Sequence, residues 1–255
     1  MSEPVVLITG ALTGIGHATA VAYARQGANL VVSGRHQGEG EQLAAELSRL
    51  GAATEFVRAD VRFDSEVKNL VDRAVARFGR IDVAVNNAGT SGTPSPVADV
   101  TDEDYQAVFD TNVKGTLLCL KHEFRVMREQ GGGSIVNVSS VYGLMGYPRA
   151  TLYVGSKHAV VGFTKAAALE GAVYGIRVNA IAPGFTRTSL YEQFTGSDTA
   201  RDAVDSVLPM HRAGTPEEIA EALRFLGSDQ ANYLSGHVLT VDGGLMAGGP
   251  LFPSS

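Results

Sequence analysis

The chain has 255 residues, a formal net charge of −6, 44% hydrophobic and 19% charged residues, and one cysteine. This composition suits one globular domain with a sizeable core and excludes a disordered chain, a collagen-like repeat and an internal disulfide. The acidic balance, with no run of Lys and Arg, excludes the concentrated positive charge that a nucleic-acid partner requires.

The first residues, Met1-Ser2-Glu3-Pro4, lack the basic start and cleavage site of a secretory leader. No apolar stretch reaches the roughly 20 residues of a membrane span. The single Cys119 sits in the apolar run 116–120 and reads as a small core residue. Together these features predict a cytoplasmic protein with no membrane contact.

In chain order, short β-branched runs at 5–8, 29–33, 54–58, 82–85, 134–139, 177–181 and 238–241 read as strands. Amphipathic segments at 15–26, 40–50, 65–78, 102–129, 152–174 and 216–226 read as helices. Thr101 and Thr215 stand at helix starts, the second followed by Pro216. Alternation of this kind predicts an α/β fold in a single domain, 1–255, with a parallel sheet covered by helices on both faces. The pattern breaks from Gly184 to about Gly214, which predicts a lid over 185–214. The apolar tail 248–253 reads as a loose end.

Between the first strand and the first helix lies Thr9-Gly10-Ala11-Leu12-Thr13-Gly14-Ile15-Gly16. Glycines there permit a tight turn and close approach of backbone to a pyrophosphate, and the helix N-terminus offers free N–H groups. Gly10, Thr13, Gly14, Ile15 and Gly16 are therefore candidate dinucleotide ligands. The second strand ends Ser33-Gly34-Arg35, with no carboxylate to hold ribose hydroxyls. Arg35 presents a planar cation suited to a 2′-phosphate, so NADP(H) is favoured while NAD(H) stays open.

Tyr153 and Lys157 are four residues apart on a predicted helix and share a face. An ammonium beside a phenol favours the phenolate and is expected to lower its pKa, which suits a general acid/base. Ser140 lies thirteen residues before Tyr153, at the end of a strand, where its hydroxyl can donate to a substrate oxygen.

These motifs resemble the short-chain dehydrogenase/reductase family, in its compact branch. The resemblance spans residues 4–246. It adds Asp60-Val61, Asn86-Asn87-Ala88-Gly89, Asn112-Val113-Lys114-Gly115, Asn179-Ala180-Ile181-Ala182-Pro183-Gly184 and Val241-Asp242-Gly243-Gly244. It implies a seven-stranded Rossmann-type doubly wound sheet and a homotetramer packed through the long helices. It implies that Asn112 bends its helix and holds a water linking Lys157 to a proton relay, and that Lys157 also bonds the nicotinamide ribose. Asp60 and Val61 would flank adenine, and Asn87, Ala88 and Gly89 would lie along the adenosine ribose. Pro183, Gly184, Thr186 and Thr188 complete the cofactor set, with Thr188 near the carboxamide.

The stretch Val141, Tyr142, Leu144, Met145 and Tyr147 is apolar and aromatic, with only Arg149 as a charge nearby. Leu190, Tyr191 and Phe194 stand in the lid. The first group suggests a neutral, fairly hydrophobic ketone or secondary alcohol; the second either closes over that substrate or makes helix core contacts. No His/Cys/carboxylate spacing suits a metal. Reversible hydride transfer is the expected reaction. An epimerase or dehydratase on the same scaffold and a non-catalytic nucleotide sensor are the alternatives.

Overall fold

The computed structural model describes residues 3–248, apart from the side chains of Gln193 and Phe194. Residues 1–2 and most of the tail expectation, 249–253, lie outside the described residues. The chain alternates between strand and helix: β1 (Val5–Thr9), α1 (Gly14–Ala24), β2 (Asn29–Gly34), α2 (Gln37–Arg49), β3 (Thr54–Arg58) and α3 (Asp64–Phe78). β4 (Val83–Asn86), α4 (Asp102–Phe109), α5 (Gly115–Gln130), β5 (Gly133–Val138) and α6 (Thr151–Gly171) form the middle. β6 (Ile176–Pro183), α7 (Ser189–Thr195), α8 (Asp198–Val207), α9 (Pro216–Gly227) and β7 (Val238–Val241) complete it.

All described strand pairs are parallel, and the sheet order is β3-β2-β1-β4-β5-β6-β7. Successive strand side chains face opposite ways, which divides the core in two. Val6 and Ile8 pack with Tyr23 of α1, Leu47 of α2 and Leu223 of α9. Leu7 packs on the other face with Leu70 of α3, Met127 of α5 and Ala168 of α6. Each large aliphatic side chain buried this way contributes about 1.5–3 kcal/mol. Strand order reverses between β1 and β4, which opens a crevice beyond their C-terminal ends.

Three segments differ from the sequence expectation. The expected helix 102–129 contains a π-helical stretch, Asp110–Lys114, between α4 and α5. There the Thr116 hydroxyl bonds Asn112 O, and the Asn112 side chain is drawn out to Thr90. The segment 184–214 is not one loose loop, because it holds α7 and α8. The hydroxyls of Thr188 and Ser197 cap their starts, and Gly196 at φ 70° ends the first. Strand β5 stops at Val138, so Ser139 and Ser140 lie just beyond its C-terminal end. Thr101 and Thr215 both form capping boxes, as their positions suggested.

Candidate active site

The glycine loop is compact because side chains are excluded from it. Gly10 and Gly14 have φ of 64° and 55°. A Cβ at Gly16 would stand 2.2 Å from Gly10 O, and one at Gly10 would stand 2.8 Å from Ala88 Cα. Thr13 precedes α1 in extended conformation and gives it no side-chain cap, and the first turn carries no acidic residue. The N–H groups of that turn therefore face the crevice as an anion cradle. Gly10, Thr13, Gly14, Ile15 and Gly16 fit a dinucleotide phosphate on these grounds.

The neighbouring strand ends close around the loop. Asn87 Nδ2 donates to Thr9 O and Gly10 O, and the backbone N–H groups of Asn87 and Ala88 both donate to Thr9 Oγ1. Gly89 lies between two expected catalytic residues: a Cβ there would be 3.2 Å from Asn112 Oδ1 and 3.5 Å from Lys157 Nζ. Gly184 fits against Asp242, which explains the Val241-Asp242-Gly243-Gly244 motif: Asp242 accepts from the N–H groups of Gly244 and Met246. Pro183 is buried at the end of β6, and Thr186 bonds back to Gly184 O. Thr188 comes within 3.0 Å of the Cβ position of Gly14, so the start of α7 sits on the glycine loop.

Arg35 is exposed at the end of β2, facing outward as a 2′-phosphate ligand requires. Asp60 is held by the Arg62 guanidinium through three side-chain bonds. That contact keeps its carboxyl below the usual range, with Arg35 adding a smaller effect. Val61 is buried beside Asp60 and packs with Cys119.

Tyr153, Ser140 and Lys157 meet where α6 crosses the end of β5. The Ser140 hydroxyl is close enough to the Tyr153 phenol to act on it and lowers its pKa. Its oxygen also accepts from Tyr142 N at 3.2 Å. Lys157 Nζ stands 5.6 Å from the Tyr153 ring centroid and donates to Val138 O at 2.9 Å. The expectation that lysine alone lowers the phenol is not met. Burial raises the Tyr153 pKa and outweighs the opposing Ser140 bond, while Lys157 directs its protons to the carbonyl. Burial pushes the Lys157 ammonium down to about 8.

Asn112 sits in the π-helical stretch. Its Nδ2 donates to Thr90 O at 2.8 Å and to Ser156 Oγ at 3.0 Å, and its Oδ1 accepts from Thr90 N. Ser139, the other serine, donates to Lys157 O instead of facing Tyr153.

An aromatic wall surrounds the phenol. Tyr142 stacks on Tyr147 with centroids 4.7 Å apart and meets Tyr153 and Phe185 edge-on at 6.2 and 6.4 Å. Phe185 meets Tyr191 at 6.3 Å. Sequence reasoning did not single out Phe185; its one signal was its place directly after Pro183-Gly184. Leu144, Tyr147 and Leu190 are exposed, Met145 is half-buried, and Val141 is buried. The side chain of Phe194 lies outside the described residues. Asp205 ties the two lid helices together: it accepts from Tyr191 Oη and Ala213 N and pairs with Arg187. Among the described residues no cluster of His, Cys, Asp and Glu suits a metal, and no helix is long and apolar enough to cross a membrane.

A family profile described as enoyl-(acyl carrier protein) reductase matches residues 10–246. An A-factor type gamma-butyrolactone 1′-reductase (1S-forming) from Streptomyces virginiae is 42% identical over 246 residues, which cover 96% of each chain. The crystal structure of levodione reductase superposes with a TM-score of 0.93 at 37% identity, covering 97% of this chain and 99% of that one. ElxO with NADP bound superposes with a TM-score of 0.91 at 34% identity, covering 97% and 100%. The chain belongs to the short-chain dehydrogenase/reductase family, as a nicotinamide-dependent oxidoreductase that acts on alcohol and carbonyl groups.

Proposed function

We propose that Tyr153 is the general acid/base of reversible hydride transfer between a nicotinamide cofactor and a neutral, fairly hydrophobic ketone or secondary alcohol. The observation that carries this reading is the convergence of Ser140, whose hydroxyl acts to lower the Tyr153 phenol, with the buried Lys157, whose Nζ stands 5.6 Å from the Tyr153 ring centroid. The cofactor, when bound, supplies or accepts the hydride. Tyr153 Oη gives its proton to the substrate oxygen in reduction and takes one in oxidation. The Ser140 hydroxyl donates to that same oxygen as charge develops on it. Lys157 holds positive charge under the ring and reaches the ribose side of the crevice. Asn112, bonded to Thr90 and Ser156, completes the set and carries the proton relay through a water.

Gly10 through Gly16, Asp60, Val61, Asn87 to Gly89, and Pro183 to Thr188 hold the dinucleotide in this reading. The exposed Arg35, together with the NADP bound by ElxO, favours NADP(H), with NAD(H) as the second choice. The wall of Tyr142, Tyr147, Phe185 and Tyr191 supports an apolar substrate, with Leu144, Met145, Leu190 and Phe194 at its margin and the segment 185–214 as its lid. We also infer a cytoplasmic homotetramer. Apolar Leu117, Leu169 and Val173, exposed on and just beyond α5 and α6, support the packing of subunits through those helices.

A panel of ketones and alcohols with both NAD(H) and NADP(H) tests the reading. Net change in nicotinamide absorbance, larger with NADP(H), is expected. Product formed without net change assigns the epimerase or dehydratase reaction instead. No turnover of any member assigns the sensor.

A further inference from the structure

The proposed chemistry leaves one fully buried carboxyl unused. Glu123, on α5, has no exposed surface. Its Oε2 accepts from Asn86 Nδ2 at 3.0 Å. The other N–H of the same amide goes to Asn137 Oδ1 at 3.0 Å. Asn137 Nδ2 donates to Thr164 Oγ1 at 3.0 Å, and that hydroxyl donates to Val160 O at 2.8 Å. The polar chain thus crosses α5, β4, β5 and α6 beneath the crevice. Asn86 directly precedes Asn87, Asn137 lies three residues before Ser140, and Thr164 shares α6 with Tyr153 and Lys157.

Two buried acceptors in this chain have no partner, Glu123 Oε1 and Asn86 Oδ1. They belong to two side chains already joined through their other atoms. An ionised Glu123 would leave both unsatisfied and a negative charge unpaired in the core, which is strongly unfavourable. A single proton removes all three defects.

We propose that Glu123 is carried as the neutral acid, its Oε1–H donating to Asn86 Oδ1, and that this closed acid–amide pair anchors the polar chain that positions the catalytic elements. Glu123 acts through Asn86 and Asn137 and is therefore a positioning residue.

Burial pushes its carboxyl up to about 7, partly offset by the Asn86 bond. The following charged groups on the surrounding elements are engaged elsewhere. On α5, Lys121 and His122 pair with Asp64 of α3, and Arg125 pairs with Asp72. Cys119, one turn before Glu123, is a thiol pushed well up by burial and by Glu123 itself. On α6, Lys157 bonds Val138 O. Strands β4 and β5 carry no ionisable residue. Because the folded value lies above the unfolded 4.5, the stabilisation is complete below about 4.5 and is lost as pH rises through about 7.

Infrared difference spectra of wild type against Glu123→Gln test the proposal without substrate. The expected result is a protonated-carboxyl carbonyl band in wild type that is absent from the variant and fades as pH rises through about 7. The glutamine amide offers one donor and one acceptor to Asn86 and keeps the pair at every pH. Its unfolding midpoint is therefore expected to stay flat where that of wild type falls, and its kcat–pH profile to lose an inflection near 7. Glu123→Ala, which leaves Asn86 unpaired, is expected to lower the midpoint at all pH. Carboxylate bands alone in wild type below about pH 7, or the same pH slope in wild type and Glu123→Gln, would overturn the proposal. If Glu123→Gln does not fold, the wild-type infrared titration decides by itself. Failure of the wild type to turn over any substrate bears on the proposed function and leaves the infrared and unfolding arms intact.

Discussion

Lys157 Nζ donates to Val138 O at 2.9 Å, and Ser139 Oγ donates to Lys157 O at 3.0 Å, so the middle of α6 and the end of β5 are laced in both directions. Ser140 follows directly and acts on the phenol of Tyr153, one helical turn before Lys157. The three side chains therefore owe their mutual placement to one strand end and one helix face. Rigid elements of this kind hold reacting groups in place better than loops do.

Replacing Lys157 by Met separates function from stability. Burial holds the ammonium down to about 8, against an unfolded value of 10.5. The folded state thus disfavours the charged amine, fully below about 8 and progressively less as pH rises toward 10.5. Removing the charge relieves on the order of a few kcal/mol. An unpaired Val138 carbonyl offsets about 1–3 kcal/mol of that. Turnover is expected to fall about 100-fold or more, while the unfolding midpoint at neutral pH stays at or above that of wild type. Thermal unfolding from neutral to alkaline pH checks the sign. A midpoint well below wild type at every pH contradicts it.

A methyl group in the glycine loop has no room. Gly16→Ala places Cβ 2.2 Å from Gly10 O and 2.6 Å from Asn87 Nδ2. Overpacking of this kind costs about 1–3 kcal/mol and displaces the backbone that faces the phosphates. Calorimetric titration with NADP(H) is expected to show cofactor binding weakened at least tenfold. Gly38→Ala, in α2, meets nothing within 4 Å and serves as the control with unchanged binding.

Asp205 holds the lid. It joins Tyr191 of α7, Ala213 and Arg187 through one carboxylate. Asp205→Ala is expected to raise the KM for the carbonyl substrate several-fold with a smaller effect on kcat. It is also expected to speed amide hydrogen exchange across α7 and α8. Unchanged exchange in that variant removes the latch.

The fold was legible because the strands are short apolar runs, as at 5–8, and several of the helices between them have a period, as at 65–78 and 216–226. Tyr153 and Lys157 were legible for the same local reason, being four apart on one helix. Features made by distant pairing were not legible. The family resemblance placed a helix bend at Asn112, but the contact that holds it, Asn112 reaching Thr90 22 residues away, was not legible, nor was the buried acid, which depends on Glu123 meeting Asn86 across 37 residues. The raised phenol escaped notice because helix spacing brings Lys157 near Tyr153 but does not say that its protons go to Val138 O. Two lid helices were missed because they are short, 7 and 10 residues, although Thr188, Gly196 and Ser197 mark their ends.

The central claim is that the Tyr153 phenol moves the proton. Tyr153→Phe removes one oxygen from a site whose other contacts stay in place. Turnover and cofactor affinity measured on the same preparation test this most directly. A loss of turnover of about 100-fold or more, with cofactor affinity close to wild type, is the predicted result. Near-normal turnover in Tyr153→Phe would contradict the account.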